Sequence, residues 1–148
     1  MPTPYSNLFN SFLSKIEDDL YAQYTKEQLD SDLIDLLNSA IINFEYPKVD
    51  IYNKNDETQE FNEDLSIFEI EILANLMTLE WIKRQIKSIY VIKQAMTDSD
   101  FRITSQANHL KMLLELKKVT ESDIDKLQNK YSYRTSNHQA NFEGLAGD

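Results

Sequence analysis

Residues 103–131, ITSQANHLKMLLELKKVTESDIDKLQNKY, hold neither proline nor glycine. Apolar side chains recur there at Ile103, Ala107, Leu110, Leu113, Leu116, Ile124, Leu127 and Tyr131, with Thr120 in the one gap. Steps of three and four residues are the helical period. At about 1.5 Å per residue, such a helix is roughly 40 Å long. Its other faces carry Lys111, Glu115, Lys117, Lys118, Glu121, Asp125 and Lys130, a solvated set. A stripe of that length needs covering by the chain upstream. The reading is all-α: a small helical bundle over 1–131 with a long C-terminal helix, an extended loop around 47–64 and an extended C-terminal arm over 132–148.

Immediately before the stripe, Thr97-Asp98-Ser99-Asp100 is a turn cluster. Further upstream, Ser66 and Glu69 form a capping box that opens a helix through at least Arg84. Ile67, Phe68, Ile70, Ile72, Leu73, Leu76, Met77, Leu79, Trp81 and Ile82 point in nearly all directions around it. A helix apolar almost all round is surrounded by others, so this is the central rod of the bundle. Lys83, Arg84 and Lys87 interrupt the pattern and predict a kink or break between Arg84 and Ser88, then a shorter helix to about Met96. Leu8, Phe9, Phe12, Leu13 and Ile16 predict an amphipathic helix within 5–20, with Ser6 as its N-cap. A second capping box, Thr25 with Gln28, opens a helix from about Lys26 to Asn43. Pro47 ends that region. Val49-Asp50-Ile51-Tyr52 alternates, which fits either a short strand seeking an edge from another subunit or an extended loop. Residues 53–64 are polar and acidic and read as an exposed loop.

Composition narrows the chemistry. A chain of 148 residues is one domain by the usual prior. With no cysteine, it has no disulfide, zinc thiolate or thiol nucleophile. The N-terminus lacks the pattern of a signal peptide, and no run approaches the apolar length of a membrane span, so the expectation is a soluble protein. Its two glycines, Gly144 and Gly147, cannot build a phosphate loop. The histidines are His109, on or beside the apolar stripe, and His138; no pair has metal-ligand spacing. Glu69 and Glu80 lie three turns apart with no evident partner, and Thr58 replaces the glycine a calcium loop needs. The expectation is a protein that binds, with no catalytic residue, cofactor or metal. Charge divides sharply: residues 1–80 carry −13, residues 81–135 carry +5, and the remainder −2. That split is either uneven solvation or a basic face turned to an acidic partner, including a second copy of the chain. After Tyr131, the anchors Tyr133, Phe142 and Leu145 sit on an otherwise polar string, either a segment that orders on binding or a frayed end.

Three stretches together, LSIFEIEILANLMTLEWIKRQI after Phe61–Asp64, SDFRITSQANHLKMLLELKK and NKYSYR, resemble small head–tail connector (adaptor, or neck) proteins of tailed bacteriophages. The resemblance covers roughly residues 60–134 and is most specific at Ser105–Leu110. It implies a ring, typically of twelve copies, beneath the portal protein in the virion neck, assembled in the host cytoplasm. Such a ring joins head to tail and extends the channel through which DNA passes without specific binding. Carried onto this chain, it makes Tyr131, Tyr133, Arg134, Phe142 and Leu145 the portal-docking residues. Val49, Ile51, Tyr52, Asp56 and Glu57 would face a neighbouring copy or the next neck or tail component. The competing expectation is a small helical inhibitor or interaction protein that binds a single host or phage partner.

Overall fold

The computed structural model describes residues 1–16 and 21–146, with side chains described through Arg134. The chain runs β1 (Thr3–Pro4), α1 (Tyr5–Leu13), α2 (Lys26–Ile41), β2 (Lys54–Asn55), β3 (Glu60–Phe61), α3 (Ile67–Gln94), α4 (Asp98–Arg102) and α5 (Ser105–Ala146). The all-α reading is correct, and the long C-terminal helix is its dominant element.

Helix α3 is the rod around which the rest packs. α1 and α2 pack on it, and α5 packs chiefly on it as well. Ile72, Leu73, Leu76, Met77, Trp81 and Ile82 are buried among these neighbours, with Trp81 at 9% exposure. The Ser66/Glu69 capping box forms in full, as does the Thr25/Gln28 box that opens α2. Both satisfy two otherwise orphaned donors from residues three positions apart. The expected kink is absent. α3 continues unbroken to Gln94 because no Pro or Gly interrupts it and Ile86 and Ile89 extend its buried face. Lys83, Arg84 and Lys87 point outward, and Arg84 pairs with Asp32 of α2 at 2.6 Å.

Helix α5 lies antiparallel to α3, since Tyr131 near its base meets Glu69 at the start of α3 (2.7 Å). Leu110, Leu113, Thr120, Ile124, Gln128 and Tyr131 form its buried stripe, so Thr120 does fill the gap. Leu116 is instead partly exposed, and Ile103 caps the short helix α4, 85% exposed. Helix α4 replaces the expected turn: Thr97 caps it, and its Phe101 is buried at the tip of the α3–α5 hairpin. Beyond Arg134 the backbone stays helical to Ala146, where an extended arm is expected; the side chains of Phe142 and Leu145 lie outside those described. The expected N-terminal helix begins at Tyr5 behind Pro4, and Ser6 does not cap it. Residues 17–20 of that prediction lie outside the described residues.

The 47–64 region differs most from expectation. Val49–Tyr52 is not a strand, and Ile51 is fully buried in the core. The paired segments are β2 and β3, which form a hairpin, and β1 completes a small antiparallel sheet in the order β1-β3-β2. Thr3 fixes β1 in place. Its hydroxyl donates to Glu63 O (3.0 Å) and accepts from Leu65 N (2.9 Å). Val49–Tyr52 thus follows the loop alternative, and the strands that do form pair with one another within the chain.

Candidate interaction surfaces

Two regions decide what this molecule can present to a partner: a polar junction at the base of the α3–α5 hairpin and an apolar surface at its far end. The junction centres on Glu69, 3% exposed. Its Oε1 accepts from Ser66 N (2.7 Å), closing the capping box, and its Oε2 accepts from the Tyr131 hydroxyl (2.7 Å). That hydroxyl also accepts from Lys48 N at 2.7 Å. The Tyr131 ring meets Phe44 edge-on at 5.6 Å. Burial, reinforced by the bond to Glu69, pushes the Tyr131 phenol well above its ordinary range. One turn earlier, the buried Gln128 carboxamide, oriented so that both its atoms are satisfied, donates to Glu45 O (3.1 Å) and accepts from Glu45 N (3.2 Å). Helix α5 is thus tied to the 44–48 segment by its backbone groups and to α3 by a buried carboxylate. The expectation that Glu69 lacks a partner is corrected: the partner is 62 residues away.

The predicted docking residues therefore separate. Tyr131 is a buried structural residue and is not available to a partner in this fold. Arg134 lies over the Phe68 ring at 5.4 Å, partly engaged with its own domain. Tyr133 is 70% exposed. Phe142 and Leu145 cannot be placed relative to them, because their side chains are outside those described.

The predicted subunit-contact loop separates in the same way. Ile51 is in the core, and Val49 packs against it. Asp56 accepts from Lys54 Nζ (2.7 Å) and from the fully buried Tyr5 (2.6 Å), and these bonds hold its carboxyl below the usual carboxylate range. Tyr52 and Glu57 remain on the surface. The acidic hairpin is mostly engaged with its own domain: Gln59, at φ 56° in the turn, donates to Asp30 (3.3 Å) and offers its carbonyl to Tyr5 N (2.9 Å).

The other surface was not anticipated. Polar links from α1 and α2 to α3 end, among the described residues, at Arg84. Past Ile89, α3 exposes Tyr90, Val91 and Ile92, the turn after it exposes Met96, and α5 exposes Met112, Leu114, Leu116 and Val119 on the same half of the hairpin. Met112, Leu116 and Val119 recur at i, i+4 and i+7, a strip of its own beside the buried stripe. Exposed apolar side chains gathered on one part of a fold are a feature of interaction sites in folded proteins. Met112, Leu114 and Val119 stand off the main stripe in the sequence, whereas Leu116, which the periodicity places on that stripe, turns outward at 42% exposure.

His109 is exposed, and no cluster of His, Cys, Asp or Glu suited to a metal occurs among the described residues. No helix among them is long and apolar enough to cross a membrane. Compared with known proteins, the chain matches no family model, no curated protein and no solved structure.

Proposed function

We propose that this chain is a structural adaptor, a helical protein that binds rather than catalyses, of the head–tail connector kind its sequence resembles. The observation that carries the reading is the concentration of exposed apolar side chains on the outer half of the α3–α5 hairpin, in a fold whose base is held by the Glu69–Tyr131–Lys48 junction. The buried titratable groups support it as well. Glu69, Tyr131 and Tyr5 are each committed to a structural partner, as is the Tyr21–Asp32–Arg84 chain, with Tyr21 donating to Asp32 at 2.7 Å.

On this reading copies of the chain stand in a ring, twelve in the resembling family, between a portal protein and the next neck or tail component. DNA passes through the ring, and the protein itself needs no cofactor. Residues from Tyr133 onward attach to the portal. Tyr131 and Arg134, which brace the base, set the direction in which that segment leaves.

The test uses phage particles that carry the chain. Electron microscopy of these particles should locate it as a ring at the neck. A variant truncated after Arg134 keeps the junction intact and should give tailless heads. Normal particles from the truncated variant would place portal attachment on the bundle. Finding the chain outside the particle, bound in a fixed ratio to one soluble protein, would replace the adaptor with an inhibitor.

A further inference from the structure

Outside α1, the hydrogen bonds of residues 3–5 all end, among the described residues, in residues 56–65. Thr3 pairs with Phe61 and Pro4 with Glu60. The buried Thr3 hydroxyl bridges Glu63 O (3.0 Å) and Leu65 N (2.9 Å), just ahead of the Ser66 cap of α3. The Tyr5 amide donates to Gln59 O at 2.9 Å, and the Tyr5 hydroxyl donates to Asp56 at 2.6 Å. The Tyr5 and Phe61 rings, both fully buried, lie 5.0 Å apart between centroids. The β2–β3 hairpin has less support of its own. Its strands are two residues each, and an isolated two-stranded hairpin is marginal in water. Its turn holds Gln59 at φ 56°, a left-handed conformation that a Cβ disfavours. From α2, Asp30 meets Gln59 at 3.3 Å and Asn38 supports the Asp56 carboxylate. The N-terminal segment, by contrast, is shaped before it docks: Pro2 and Pro4 flank Thr3, and Pro4 biases Thr3 to extended backbone.

We propose that residues 1–4, anchored at Tyr5, are a conformational strap for the 53–65 hairpin. Docked, the strap orders the hairpin; released, it lets the hairpin open while the helical core stays folded. The division follows from where the contacts lie. Ile72, Met77 and Ile82 of α3 are buried among helices and make no bond to the strap. The hairpin is a short unit with its fastenings in one place, the kind that opens below the free energy of global unfolding. It carries Asp56, Glu57, Glu60, Glu63 and Asp64, five acids in nine residues. Strap release therefore changes the shape of a concentrated acidic segment, and a partner that reads this segment meets it in one fixed form only while the strap is closed. A strap of this kind acts within a single copy and needs no ring.

Amide hydrogen exchange of the full-length protein, read by mass spectrometry, tests this. Thr3→Val keeps the shape of the side chain and removes the hydroxyl that Glu63 O and Leu65 N share. Exchange over residues 53–65 should rise about tenfold or more, while exchange over 72–89 of α3 stays within about twofold of the parent. Trypsin should cut after Lys54 faster by a similar factor. Thr3→Ser, which retains the hydroxyl, should protect the hairpin nearly as the parent does. Unchanged exchange over 53–65 in Thr3→Val would overturn the proposal, since the hairpin would then hold itself. An equal rise over 53–65 and 72–89 would overturn it too, because the strap would then belong to one cooperative core. So would a Thr3→Ser protein as fast as Thr3→Val, which would show that the hydroxyl bridge is not the fastening.

Discussion

Replacing Tyr131 by Phe removes one oxygen and nothing else. The ring, its edge-on contact with Phe44 and its burial against the bundle all remain. What is lost is the donor to Glu69 Oε2 and the acceptor for Lys48 N, both at 2.7 Å. A buried polar group left without its partner costs about 1–3 kcal/mol, and more when it is charged. Glu69 is almost fully buried, so its oxygen bears the larger share; Lys48 lies at the surface, where water can replace the hydroxyl. The expected loss is ~2–4 kcal/mol. For a chain of this size that lowers the melting temperature by roughly 5–15 °C. Urea unfolding followed by circular dichroism measures it, with an unchanged denaturant slope showing that the unfolded state is not responsible. Glu69→Gln in the same background supplies the control. If the hydroxyl and the carboxylate act on each other, the double variant should be more stable than the sum of the single losses by about 1 kcal/mol or more. A Tyr131→Phe loss below about 0.5 kcal/mol, the range of ordinary surface changes, would refute the account of the junction.

Trp81→Ala should destabilise by about 3–5 kcal/mol, because Trp81 is buried on the central helix; a native-like melting temperature would contradict its placement. Burial, and hydrogen bonds to Asp56, Asp32 and Glu69, raise the phenols of Tyr5, Tyr21 and Tyr131 above their ordinary value of 10.0. Below about pH 10 both states keep these protons; above it the unfolded state releases them while the folded state holds them, so stability falls as pH rises. The unfolding free energy from urea curves should therefore drop steeply above about pH 10, by up to about 1.4 kcal/mol per pH unit for each tyrosine, and a flat profile would count against it. Tyr46, exposed at φ 53°, should tolerate glycine with a gain of roughly 0.5–1 kcal/mol, read from the same urea curves; a loss of that size would show the ring has a structural contact.

The elements legible in the sequence were those specified within a few residues. Thr25 with Gln28 and Ser66 with Glu69 declared their helices because a capping box is complete in four positions. Thr120 could be placed in the buried stripe because the helical period passes through it. What escaped depends on distant residues or on pieces too short to show a period. Two-residue strands have no alternation to read, and β1 exists only because Thr3 faces Phe61. Glu69 announced itself as a cap and gave no sign of its bond to Tyr131. That same bond made a docking residue of the sequence reading into a core residue. The false kink had the opposite origin. Three basic residues broke the apolar pattern, but they fall on outward faces while Ile86 and Ile89 carry the buried one forward.

The two ends of the hairpin consequently answer to different demands. At its base, Glu69, Gln128 and Tyr131 fix α5 against α3 and the 44–48 segment through directional bonds, which define one register where apolar contacts alone would allow sliding. At its tip, Phe101 of α4 is buried, with Lys93 5.4 Å from its ring centroid, while Tyr90, Val91, Met96 and Met112 remain exposed on the outer half of the hairpin. Substitutions at the base should therefore change stability and leave association intact once the protein is folded. Substitutions at Met112, Leu116 or Val119 remove no buried contact and should change association alone. A hairpin fixed at one end and apolar at the other holds its exposed strip at a defined distance from the body. On the adaptor reading proposed above, a strip held in this way would meet a partner without the hairpin having to deform.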